Sequence, residues 1–119
     1  MATFGDNMSV PTDNETWVIE TGDTIIRKRA ALGWEGLNRW ERLVYCLWAA
    51  DYGMRNAGTL VAAYDVYPQF HSEGQQMARD LSLSFTRDTF ALSQDAFERE
   101  YFTRFEAVCN EIKRAEPEH

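Results

Sequence analysis

Apolar residues recur every three or four positions from Leu37 through Trp40, Val44 and Leu47, and the same step then lands on a carboxylate, Asp51. Leu43 and Trp48 widen the stripe. This period belongs to one face of an α-helix, and a stripe so broad must be covered from more than one side. The stretch therefore predicts the central helix of a helical core, ended by the turn residues Gly53, Asn56 and Gly58.

The flanking segments fit around it. Thr12 and Glu15 have the spacing of a capping box, which opens a helix running to about Leu32 with Trp17, Ile25 and Leu32 facing inward. Asp13 and Glu15 near its start, and Arg27, Lys28 and Arg29 near its end, each suit the macrodipole. Gly22 weakens the middle and permits a bend, while Gly33 and Gly36 bracket a turn. A third helix spans about Thr59 to Tyr67, with Leu60, Tyr64 and Tyr67 on one side, and Pro68 stops it. Ser72 and Gln75 read as a second capping box, launching a helix whose inner face is Met77, Leu81 and Phe85. Residues 86–93 read as a loop or a single turn. From a Ser93 cap to about Arg114 the pattern returns, with Phe97, Tyr101, Phe105, Val108 and Ile112 inward, Phe102 and Cys109 beside them, and Pro117 closing. No strand-like alternation is present. The expected fold is all-α, a compact bundle of about five helices: a flexible tail over 1–11 and one helical domain over 12–119.

Charge narrows the partners. A net charge of −7 argues against direct contact with nucleic acid, which needs clustered Lys and Arg, and equally against anionic membranes. It suits solubility, a basic partner, or imitation of nucleic-acid charge. No run approaches the length of a spanning helix and no export signal is visible, so Cys46 and Cys109, set among apolar residues, read as buried, reduced thiols. The expected compartment is the cytoplasm, of a bacterium or of one infected by phage. Four Trp, five Tyr and seven Phe exceed what a minimal core needs, and this surplus leaves a homodimer open.

Chemistry finds little purchase. His71 and His119 are the only histidines, and neither cysteine has a neighbouring base. His71 and Glu73 supply two potential metal ligands, but no second pair completes a site, and no phosphate-cradling loop is present. No cofactor is expected. Asp51, Asp65 and Asp80 lie among apolar residues. For Asp51 the favoured reading is a buried anchor held by Arg55 one turn on, or by amides of the loop that follows. Outward-facing carboxylates are the stronger signal. Asp95, Glu98, Glu106 and Glu111 on the last helix, with Asp13 and Glu20 on the first, are the candidate partner-binding residues, able to stand in for phosphates before a cationic surface.

The segment 37–67 resembles a family of small acidic bacterial proteins described as DNA mimics, in the run LVYCLWAADYGMRNAGTLVAAYDVYP. Asn56 and Gly58 occupy the places of the family's Asn-Gly turn, and Leu60 and Tyr64 follow where its aromatic helix begins. Arg55 stands where a second Asn is expected, and Ala57 replaces a glycine. The resemblance implies an all-helical fold, frequent dimerisation and sequestration of a DNA-binding regulator.

These readings converge on a non-enzymatic inhibitor or regulator that binds a basic, nucleic-acid-binding protein through an acidic helical surface. A transcription factor or a phage-defence nuclease would be the target, as for an anti-CRISPR protein. An immunity protein neutralising a cognate toxin and an enzyme with a carboxylate site near Asp51 are the alternatives. Charge reversal at Glu98 or Glu106 is expected to weaken binding and leave folding intact.

Overall fold

A computed structural model describes residues 13–117. Among them are six α-helices and no strand: α1 (Asn14–Leu32), α2 (Arg39–Ala57), α3 (Val61–Val66), α4 (Phe70–Asp80), α5 (Ser84–Phe90) and α6 (Gln94–Arg114). One 3-10 turn, Trp34–Gly36, joins α1 to α2. The expected tail over 1–11, the Thr12 cap and His119 lie outside the described residues.

The wide stripe does what its breadth requires. Helix α2 is the hub, packed against α1, α3, α4 and α6, with Leu43, Val44, Cys46, Leu47, Ala49 and Ala50 all removed from solvent. Trp40 reaches across the core and donates its indole N–H to the Ile112 carbonyl at 2.8 Å, satisfying an end-of-helix acceptor of α6. The entry to α2 is a capping box that sequence reading passed over. Asn38 accepts from the Glu41 amide at 2.8 Å, and Glu41 accepts from the Asn38 amide at 2.9 Å. Its exit comes later than expected: α2 continues through Gly53 to Ala57, and Gly58, at φ 71°, supplies the left-handed cap. Gly53 sits inside the helix because Thr59 and Ala63 approach it closely, a Cβ there falling 2.8 Å from the Thr59 carbonyl oxygen.

Helix α1 begins with Asp13, whose carboxylate accepts from the Thr16 amide at 2.9 Å. Its buried face is Asn14, Val18, Gly22 and Ile25, while Leu32, at the last turn, is exposed. The polar Asn14 and the side-chain-free Gly22 concealed that stripe from hydropathy. Gly22 marks a close approach: a Cβ there would lie 2.5 Å from Trp48 Cδ1.

The middle of the chain departs most from expectation. Helix α4 starts at Phe70 with Gln69 as its N-cap, so Ser72 lies within the first turns and its hydroxyl bonds back to the Gln69 carbonyl. The Ser72–Gln75 box does not form, because burying Phe70 fully against the core extends the helix to an earlier start. At the other end, Ser82 takes a left-handed φ of 61°, and the amides of Ser82 and Leu83 reach back to Arg79 and Ala78. The chain then re-enters a helix, α5, across the segment expected as a loop or turn. Phe85 consequently lies on α5, exposed, with the Arg104 guanidinium over its ring. Helix α6 matches expectation: Ser93 caps it, and Phe97, Tyr101, Phe105, Val108 and Ile112 are all buried.

Candidate partner-binding surface

Four of the six carboxylates singled out by sequence hold the fold together. Asp13 caps α1, and the Thr16 amide draws its carboxyl below the usual range. Glu98 accepts from the Leu60 amide at 2.8 Å, at the start of α3. Glu111 accepts from the Thr86 amide and hydroxyl, each at 2.7 Å, and from the Phe85 amide at 3.2 Å, at the start of α5. Both therefore lie where a helix presents unpaired N–H groups and a positive dipole end. Glu106 accepts from the buried Asn14 side chain, which also donates to Asn110 at 3.2 Å and so binds α1 to α6. The expectation that reversing Glu98 or Glu106 would leave folding intact fails on these contacts. Either reversal leaves inter-helix donors without their acceptor.

Asp95 and Glu20 are exposed and make no ion pair among the described residues. They do not share a patch: Asp95 stands in the first turn of α6, whereas Glu20 lines a recess with Glu41 and Glu116 near the other end of that helix. The structure instead adds Asp23 to the free acids. Glu15, Ile19 and Asp23 follow one another at four-residue spacing, and Glu20 lies three residues before Asp23, so these side chains neighbour one another on the outer side of α1. No sequence signal separated Asp23 from the other acids; what singles it out is its place beside Glu20 on the outer side of α1.

The α1 stripe borders a recess in the surface. Ile19 of α1 and Trp48, Asp51, Tyr52, Arg55 and Asn56 of α2 line a cavity of about 260 Å³. Trp48 and Tyr52, one turn apart, stack with ring centroids 5.8 Å apart. Ile19 and Tyr52 are 46% and 44% exposed, whereas Asp51 is 4% exposed. Asp51 is held as expected by Arg55, whose Nε donates to Oδ1 at 2.9 Å, and additionally by the Tyr101 hydroxyl at 2.7 Å. Arg55 also pairs with Glu15 at 2.8 Å and rests on the faces of Phe102 and Phe105. Burial raises the Asp51 carboxyl above its usual range, opposed by Tyr101 and Arg55. Burial, reinforced by Asp51, pushes the Tyr101 phenol well above its own.

Much of the aromatic surplus is accounted for nearby. Trp34, Tyr45, Tyr67, Trp48 and Tyr52 form a continuous run of touching rings. The Arg29 guanidinium sits 5.0 to 5.5 Å from the centroids of Trp34, Tyr45 and Tyr67 and donates to the Tyr45 hydroxyl at 2.6 Å. These rings thus cradle a cation of the chain's own.

The thiols and the histidine lie elsewhere. Cys46 and Cys109 are free and buried; burial pushes Cys46 well above the ordinary thiol range and Cys109 up to about 12. His71 Nε2 donates to the Leu92 carbonyl, 2.8 Å away, and its Nδ1 is in hydrogen-bond contact with the Tyr64 hydroxyl at 2.8 Å. Among the described residues no cluster of three or more His, Cys, Asp or Glu could hold a metal ion, and no helix is long and apolar enough to cross a membrane. Comparison with family models, curated proteins and solved structures finds no match to this chain.

Proposed function

We propose that this chain is a non-enzymatic binding protein whose target is a basic protein surface of the kind that otherwise grips nucleic acid. The observation that carries this reading is the pair of exposed carboxylates, Glu20 and Asp23, on the outside of α1. Glu20 and Asp23 are exposed without an ion-pair partner among the described residues, and Glu116 joins Glu20 at a shared recess. Negative charge fixed on a helix outside any close ion pair can meet an incoming cationic surface, and it steers association as well as contributing affinity. Exposed Ile19 and Tyr52 beside it offer the apolar contact that charge alone lacks. The carboxylates of Asp13, Glu98, Glu106 and Glu111 do not need to take part, since each has an internal acceptor role.

The test is a paired capture from bacterial extract, using the native chain and a Glu20→Lys/Asp23→Lys/Glu116→Lys variant as baits. The reading expects nucleic-acid-binding proteins on the native bait alone, displaced by added duplex DNA. Equal retention by the two baits, or capture that DNA leaves untouched, overturns it.

A further inference from the structure

Resting on that reading, we infer that the recess above Asp51 is a socket for one arginine side chain of the partner. Both hydrogen bonds received by Asp51 fall on Oδ1; no described residue donates to Oδ2, although the side chain is almost wholly buried and lines the cavity. A buried carboxylate oxygen lacking a donor is costly, and a guanidinium delivered from outside relieves it. The local charge points the same way. Two carboxylates, Asp51 and Glu15, share the single guanidinium of Arg55, leaving the site one positive charge short.

The walls select the shape of the cation. Tyr52, stacked on Trp48 and 44% exposed, brings an open aromatic ring to the recess, and Ile19 adds an aliphatic side chain to its lining. Arginine is planar, weakly hydrated and able to stack, whereas lysine carries a compact, strongly hydrated ammonium. The same chain already packs its own arginines on aromatic faces, Arg29 on Trp34, Tyr45 and Tyr67, and Arg55 on Phe102 and Phe105. Asn56, the remaining polar lining residue, donates to the Tyr52 carbonyl at 2.7 Å and makes no hydrogen bond to Oδ2.

A titration of the full chain with a blocked Gly-Arg-Gly peptide, followed through ¹⁵N-labelled tryptophan indoles, tests the socket. The inference expects saturable shifts at the Trp48 indole, with the citrulline peptide at least about tenfold weaker and the lysine peptide also weaker. Asp51→Asn should weaken the arginine peptide by a similar factor. Because Asp51 also anchors Tyr101, the exposed-ring variant Tyr52→Ala serves as the second probe and should weaken binding with the helical circular dichroism unchanged. Equal response to arginine and citrulline, shifts spread over all indoles, or full affinity in Tyr52→Ala overturns the socket. The triple-lysine bait leaves Asp51, Trp48 and Tyr52 in place, so loss of peptide selectivity with paired capture intact rejects the socket alone. Loss of paired capture with peptide selectivity intact rejects the wider reading alone.

Discussion

Asp51 shows how far a single residue could be read in advance. Its place on the apolar stripe marked it as buried, and its four-residue spacing from Arg55 marked the partner; both are found. Tyr101, fifty positions away, was visible only as a core aromatic, because sequence spacing along one helix says nothing about which other helix will face it. The unshared Oδ2 was out of reach for the same reason. This environment has a pH consequence. A carboxyl whose folded pKa exceeds its unfolded value makes the native state prefer the proton, so its contribution falls as pH rises from about 3.8 through the raised value and is level above it. In urea titrations from about pH 3 to about pH 7, the stability of the native chain should decline relative to Asp51→Asn within that window. A constant difference across the range would contradict the assignment.

Helices were legible in proportion to their periodicity. The long α2 and α6 announced themselves, whereas α5, seven residues between turns, carried too short a pattern to distinguish from a loop. Its start is held by Glu111, twenty-five positions from Thr86, and such a long-range cap leaves no local signature. Replacing Glu111 with Ala should cost about 1–2 kcal/mol, with hydrogen exchange accelerating first at the Phe85 and Thr86 amides. Uniform acceleration through α6 instead would deny the capping role. Gly22 makes the converse case, since propensity alone favours alanine there by ~1 kcal/mol. The Trp48 ring leaves no room for the added carbon, so Gly22→Ala should lower stability by roughly 1–3 kcal/mol in urea unfolding. A gain would show that α1 and α2 are not in the described contact.

Across the whole molecule, the acidic excess is divided between two uses that composition could not separate. Some carboxylates stitch helices together, and others, Glu20 and Asp23 on α1 and Asp95 on α6 among them, are exposed without a described ion-pair partner. The charge total led to an expected anionic surface on the first and last helices; Glu98, Glu106 and Glu111 are engaged within the fold, and the proposed interface therefore rests on Glu20 and Asp23 of α1. The most direct trial of this account is the salt dependence of affinity for the captured nucleic-acid-binding protein, measured with the native chain and the triple-lysine variant. Affinity of the native chain should fall about tenfold or more between about 50 and about 200 mM salt, and the variant should bind weakly with a much shallower slope. Affinity that stays flat over that range, or identical slopes for the two proteins, would contradict binding through the α1 carboxylates.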